Sequence, residues 1–341
     1  MNGIILFGHF HRGPIMTSPA TVALDVGRSA LKVSYRETST GRLCQNLIPS
    51  AVIPAFKITD ATEAERAAKD TVTVHGQPYF VGTTALMQAR ESDNALTDEW
   101  VYSNEYLALL THGLNQSGAQ NPLLMLGLPS RAARLHRQKL KDHVIEHFGL
   151  DAKVMPQPMG IYYSHMLNDI GVPTPGRVLS RESWAAVDVG RYSTDLILIL
   201  DGVWIEQVSE SCAGVVTAVD HLRRSLRDDG VELDFTEAEA ALRTKSLRWY
   251  GKQRDISPLV DKAIEHLTND ITSTVTRLLS DYVRKLDGVL VGGGGAQFVA
   301  DAFRARWPHV VIPEDIRFAV AEGMRRSGEA HIRAQLKKRS A

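Results

Sequence analysis

Two segments of the chain place an aspartate two residues before a glycine, at the point where an apolar run gives way to a polar turn. The first is Val22-Ala23-Leu24-Asp25-Val26-Gly27-Arg28-Ser29-Ala30-Leu31-Lys32-Val33, and the second is Ala185-Ala186-Val187-Asp188-Val189-Gly190-Arg191-Tyr192-Ser193-Thr194-Asp195-Leu196. In each, the glycine lets the backbone turn tightly and brings main-chain N–H groups toward phosphate oxygens. The aspartate at the strand end is suited to hold the water shell of a cation such as Mg²⁺. One such turn is ordinary hairpin chemistry. Its repetition in matched strand contexts, near the start of each half, argues for a nucleotide gripped between two related halves. A third segment, Val289-Leu290-Val291 followed by Gly292, Gly293, Gly294 and Gly295 and an amphipathic run over 296–303, reads as strand, glycine turn, helix. Bare backbone there lets a purine or a phosphate lie at a helix N-terminus. A Rossmann site needs G-x-G-x-x-G early in a βαβ unit with an acidic residue about 20 positions on, and neither the place nor the spacing fits.

Other side chains in these turns carry two readings each. Lys32 lies on the returning strand, where it reaches a phosphate as a point charge or stands as an exposed strand lysine. Ser29, Ser193 and Thr194 offer hydroxyl donors to phosphates, and are equally the polar residues any turn contains. Asp195 either fixes the second turn by local backbone hydrogen bonds or joins the metal site.

The elements that must position these groups alternate as in an α/β protein. Residues 131–148 repeat Leu140, Val144 and Phe148 at steps of four, which predicts an amphipathic helix with a basic, solvated face. A longer pattern runs from Val260 through Leu286 at spacings of three and four, headed by Ser257-Pro258 as N-cap and first helical residue and closed by Asp287-Gly288. At 1.5 Å per residue it predicts a helix of about 45 Å leading to the glycine run. Residues 217–226 read as another helix, and Tyr79-Phe80-Val81-Gly82 as a strand.

In their order, phosphate turn, connecting helix, phosphate turn and adenosine turn, these blocks resemble the actin-like ATPase superfamily, and most closely the bacterial plasmid-segregation actins of the ParM (StbA) type. Leu124-Met125-Leu126-Gly127-Leu128-Pro129 resembles the strand and Leu-Pro corner of the first domain. Val154-Met155-Pro156-Gln157-Pro158-Met159-Gly160 resembles the segment that enters the cleft. The resemblance implies an α/β, actin-like (ribonuclease H-like) two-domain fold with a nucleotide cleft between the halves. It implies a first domain over 20–178 with a smaller subdomain at about 50–111, and a second over 179–341 with a smaller subdomain at about 227–256.

The resemblance also implies chemistry. ATP is the expected nucleotide, with Asp25 and Asp188 holding Mg²⁺ through waters and Gly27, Gly190 and the four glycines 292–295 lining the nucleotide. Gln157 stands where ParM proteins carry a glutamate and actin a glutamine. An amide orients a water for in-line attack without accepting its proton, so slow hydrolysis is expected; alternatively Gln157 caps the helix starting near Pro158. Glu237 or Glu239 is expected to accept from ribose hydroxyls, although Thr236-Glu237-Ala238-Glu239 is also a capping pattern. The implied function is an ATP-dependent filament that segregates plasmid DNA through a ParR-like DNA-binding adaptor, its disassembly timed by hydrolysis. A non-polymerising ATP-binding scaffold of the FtsA or PilM type, and a small-molecule kinase, are the alternatives on the same scaffold.

Composition agrees with this class. The 341 residues suffice for two cores, and Lys plus Arg equals Asp plus Glu at 39 each, which gives no electrostatic argument for direct nucleic-acid or membrane binding. Trp249 and Tyr250 among Arg243, Lys245, Arg248, Lys252 and Arg254 suggest a subunit contact or ordinary surface rather than a nucleic-acid patch. Cys44 and Cys212 lie far apart with no metal spacing, which fits free thiols in the cytoplasm. Residues 1–19 hold only a short apolar run, make a poor signal peptide and are expected to form a disordered extension, with Met16 an alternative start.

Overall fold

The structure, a computed structural model, describes residues 20–88 and 98–340; the stretch read above as an N-terminal extension lies outside these residues. β1 (Thr21–Val26) and β2 (Ala30–Arg36) form the first hairpin, and β3 (Leu43–Pro49) pairs beside it. A small insert follows, made of β4 (Val52–Pro54), α1 (Ala61–Lys69), β5 (Thr71–Val74), β6 (Gln77–Val81) and α2 (Gly82–Gln88). The first half continues with α3 (Asn104–Ser117), β7 (Leu123–Leu128), α4 (Ser130–Phe148), β8 (Ala152–Pro156) and α5 (Gln157–Met166). Its sheet has the order β3-β2-β1-β7-β8, antiparallel across β3, β2 and β1 and parallel across β1, β7 and β8. β1 and β7 are buried throughout, as near-continuous apolar runs covered on both faces should be.

The second half repeats the plan. β9 (Trp184–Val189) and β10 (Ser193–Leu200) form its hairpin, followed by β11 (Val203–Trp204), β12 (Glu210–Ala213), α6 (Val216–Asp228) and α7 (Phe235–Thr244). Then come β13 (Ser246–Trp249), β14 (Lys252–Asp255), α8 (Ser257–Leu279), β15 (Gly288–Gly292), α9 (Ala296–Arg306), β16 (Val310–Val311) and α10 (Ala319–Ser340). The sheet order is β11-β10-β9-β15-β16, with β9, β15 and β16 parallel. α8 is shorter than its apolar repeat predicts, about 35 Å for 23 residues, because a tight turn at Val283–Lys285 redirects the chain into β15. Its N-cap is Ile256, so Ser257 is already helical.

The grouping of residues 179–341 as one half is corrected at its end. α10 leaves the second sheet and packs on α5 and on β1, β2 and β7 of the first. Each half has its own apolar core, and a third cluster joins them through Met125, Ile161, Trp184, Leu290 and Met324. α5 and α10 cross there at two glycines: a Cβ on Gly323 would overlap the Gly160 carbonyl, and one on Gly160 would overlap the backbone of Val320. Beside the crossing, Glu322 is buried and accepts from Ser34 of β2 at 2.8 Å, from Arg325 at 2.6 and 2.9 Å and from Arg326 at 2.8 Å. Arg326 also donates to the carbonyls of Ser164 and Leu167, which satisfies the open C-terminus of α5.

Candidate functional site

The carboxyl ends of the parallel strands from both sheets meet at a cavity of about 430 Å³. Five basic side chains line it, Arg28, Lys32, Arg191, Arg243 and Arg317, against three acidic ones, Asp188, Asp195 and Glu239. That balance favours an anionic occupant.

The two hairpins hold their turns alike. Gly27 donates its N–H to the Ala30 carbonyl at 3.1 Å, and Gly190 donates to Ser193 at 2.8 Å. These amides close the turns instead of facing a ligand, so the glycines supply room and not donors. A Cβ at Gly27 would sit 3.1 Å from the Ala30 oxygen, and one at Gly190 2.7 Å from the Ser193 oxygen.

A spacing of seven residues across each hairpin sets the charges. In the first, Asp25 lies directly opposite Lys32; in the second, Asp188 lies directly opposite Asp195. Asp25 is fully buried, accepts from Lys32 Nζ at 2.7 Å on Oδ2 and from Gln157 Nε2 at 2.7 Å on Oδ1. Burial alone would lower the Lys32 pKa, but the charges of Asp25 and Asp188 outweigh it and hold the ammonium above its ordinary value. Lys32 is therefore a cleft residue and not an exposed strand lysine. Gln157 is the first residue of α5 and caps nothing; its side chain points at Asp25, in space left open by Gly127, where a Cβ would lie 2.9 Å from Gln157 Cγ.

Asp188 has no such partner and accepts no hydrogen bond among the described residues. Burial pushes its carboxyl up to about 7; Lys32 pulls it down, and Asp25 and Asp195 push it further up. Gly293, at φ +88°, lies so close that any side chain there would strike the Asp188 carboxylate, which locks the third glycine turn onto the second hairpin. Gly294 faces open cavity, and Gly295 donates to the Val189 carbonyl at 2.8 Å.

Asp195, like charged and opposite Asp188, is stabilised otherwise. It accepts from Ser193 Oγ at 2.7 Å, from Ser211 Oγ at 2.6 Å and from the Ser130 N–H at 2.7 Å. The last bond crosses between the halves: α4, whose own N-cap residue Pro129 supplies no side-chain bond, is capped by a carboxylate from the second half. Burial still raises the Asp195 pKa, with these three bonds offsetting part of the shift.

Several expected contacts lie elsewhere. Thr194 is buried and its hydroxyl donates to the Ala213 carbonyl at 2.8 Å within the sheet, away from the cavity. Gly292 ends β15 and packs against Ile161. Glu237 is exposed and completes a capping box with Asp234, the true N-cap of α7, which removes it from the cleft. Glu239, one helical half-turn on, lines the cavity and pairs with Arg191 and Arg243, each at 3.1 Å. Ser29 and Ser193 do line the cavity. The sequence reading missed Arg191, although it follows the turn glycine directly, and missed Gly127, whose only signal is a glycine inside an apolar strand.

Among the described residues no three His, Cys, Asp or Glu side chains converge on a metal position. Asp188, which lines the cavity and has no donor among the described residues, with Asp25 buried behind Lys32, fits a hydrated Mg²⁺ carried in by nucleotide phosphates rather than a cage made by the protein. No helix among the described residues is long and apolar enough to cross a membrane.

Two similar sheets, each opened by a hairpin with a buried aspartate, joined by α5 and α10 around a cationic cleft, define the actin-like two-domain class. A family model described as "Actin like proteins N terminal domain" matches residues 23–160, and one described as "Archaeal actin homologue MreB-like, C-terminal" matches residues 186–305. The chain is 28% identical to an archaeal actin homolog of Thermoplasma acidophilum over 261 residues, covering 70% of this chain and 78% of that protein. A Thermoplasma volcanium homolog is 29% identical over 150 residues, 42% of this chain; the match spans about half, 46%, of that relative's length. Among solved structures, a 15-stranded ParM filament from Clostridium botulinum superposes with a TM-score of 0.72 at 17% identity, covering 92% of this chain and 99% of that one. An archaeal actin homolog in complex with ADP gives 0.68 at 20% identity, covering 91% and 99%. The chain has the actin-like two-domain fold, and each of its halves resembles a family model of actin-like proteins.

Proposed function

We propose that the protein binds ATP with Mg²⁺ in this cleft, assembles into filaments in the ATP state, and hydrolyses the nucleotide slowly to limit filament lifetime. The observation that carries the reading is the Asp25, Lys32 and Gln157 cluster facing Asp188 across a basic cavity. In this reading Lys32 would meet a terminal phosphate, and Asp188, with the buried Asp25 behind Lys32, would hold the water shell of the cation. Gln157, fixed through Asp25, would orient a water for in-line attack. The chemistry Mg²⁺ supplies when bound is neutralisation of the phosphate charge. A nucleotide touching both hairpins has more contacts in the closed cleft than in the open one, so it favours closure by its differential affinity. Structural likeness to a ParM filament extends the reading to self-assembly and to plasmid segregation through a ParR-like adaptor.

The test is sedimentation and light scattering with Mg²⁺ and ATP, ADP or a non-hydrolysable analogue, with phosphate release followed in the same sample. Polymer with ATP or the analogue that decays as phosphate appears supports the reading. Nucleotide binding without polymer at any concentration replaces it with a static ATP-binding scaffold.

A further inference from the structure

We propose that Arg191 is a phosphate-contacting residue of the cleft, held in its working position by Glu239. The inference rests on the nucleotide-binding reading above and adds to it a donor that the hairpin glycines do not supply. Arg191 follows Gly190 in the second hairpin, lines the cavity, and keeps one-fifth of its side chain accessible (20%). Its guanidinium lies 4.3 Å above the Phe235 ring and 3.1 Å from Glu239 Oε2. Glu239 is in turn gripped by Arg243 at 3.1 Å, and Arg243 lies 5.7 Å from the centre of the Phe298 ring. Phe235 and Glu239 belong to α7, which walls this end of the cleft, and Phe298 to α9 behind it.

An arginine has five N–H donors. Among the described residues Glu239 is the only anion or acceptor paired with this one, and its Nε is buried with no hydrogen-bond partner. Nε is enclosed by protein, so an oxyanion in the cleft would meet the accessible N–H groups of the guanidinium that Glu239 leaves unpaired. Lys32 differs, because Asp25 already neutralises it at 2.7 Å. The planar fork, fixed on one edge by Glu239 and on one face by Phe235, loses little freedom on meeting a second anion. Arg191 is thus a preorganised contact for the phosphate chain of a nucleoside di- or triphosphate, and Glu239 is a positioning residue that acts through it.

The experiment is titration calorimetry of the full chain with Mg²⁺ and a non-hydrolysable ATP analogue or ADP, with adenosine measured by competition. Arg191→Ala is expected to weaken both phosphorylated ligands about 10- to 100-fold, the loss of one charge-assisted hydrogen bond, and to leave adenosine within about twofold. Arg191→Lys should recover part of the loss, since it keeps the charge and not the fork. Glu239→Gln should give a smaller loss with the same dependence on phosphate. Circular dichroism checks that each variant is folded. Equal weakening of adenosine and ADP by Arg191→Ala, or no weakening of either, overturns the inference while leaving nucleotide binding in place. A wild-type chain that binds none of the three ligands overturns both.

Discussion

Replacing Asp188 by asparagine isolates what it costs to keep an unpartnered carboxylate in the cleft. Burial lifts this group from 3.8 to about 7, with Lys32 opposing the shift and Asp25 and Asp195 adding to it. Between those two values the folded chain holds a proton that the unfolded chain has released. Stability therefore falls as pH rises, by up to about 1.4 kcal/mol per unit, and the stabilisation is lost once pH passes the folded value. Over roughly three units the cost reaches about 4 kcal/mol, an upper bound because a charged site relaxes and takes up water. Asparagine has nearly the same shape and no charge, and the carboxylate it replaces accepts no hydrogen bond among the described residues. In buffer free of Mg²⁺ and nucleotide, Asp188→Asn should match the parent near pH 4 and exceed it by up to about 4 kcal/mol near pH 8. Urea unfolding read by tryptophan fluorescence measures this, since the chain carries 5 tryptophans, of which Trp184 is buried at the base of the second hairpin. A stability difference that stays constant between those pH values would refute the reasoning. The gain should also come with near-complete loss of hydrolysis, as expected where function requires a locally unfavourable group.

Other substitutions separate cleft residues from scaffold. Gln157→Ala should lower single-turnover hydrolysis by about 100-fold or more while leaving the affinity for ADP within about threefold, because it removes water orientation and no phosphate contact. Thr194→Val should cost about 1 kcal/mol in denaturant unfolding, from its bond to Ala213, and leave nucleotide affinity unchanged. Gly323→Ala places a methyl group 2.6 Å from both the Gly160 carbonyl carbon and the Ser164 nitrogen, so α5 and α10 must separate. A loss of at least about 3 kcal/mol is expected in thermal or urea unfolding, and a fully stable variant would show that the two helices do not cross at contact distance.

The α/β class, the two hairpins and the glycine turn were legible because each depends on local chemistry: apolar runs, turn residues and a repeated Asp-x-Gly. The cleft position of Lys32 and Asp188 follows from the same local pattern, whereas Asp25 is buried behind Lys32 and Gln157 and does not itself line the cavity. What escaped depends on register or distant packing. The seven-residue spacing that pairs Asp25 with Lys32 also pairs Asp188 with Asp195, and the repeat was visible, but not that Asp195 reaches Ser130 in the other half. Glu237 and Glu239 are indistinguishable by type; the N-cap at Asp234, two residues earlier than the Thr236 pattern suggests, ties Glu237 into the exposed cap and leaves Glu239 facing the cavity. α10 reads as a polar helix with few large apolar residues, because much of its buried face is glycine, alanine and paired charge. Nothing in that composition says which sheet it covers.

The return of α10 to the first sheet has a consequence for how the chain is made. Thr21, at the start of the first strand, and Met125 on β7 pack against Gly328, and Ser34 on β2 bonds Glu322. Gly328 and Glu322 lie beyond the whole second sheet, Glu322 being 288 residues downstream of Ser34. The half whose strands are synthesised first is therefore completed after the second: its sheet stays uncovered on one face until α10 has been made, while the second half can assemble its own core in the meantime. A stop or truncation before Ala319 would leave a finished second half tethered to an unfinished first one, with the strand that carries Asp25 exposed to chaperones and proteases.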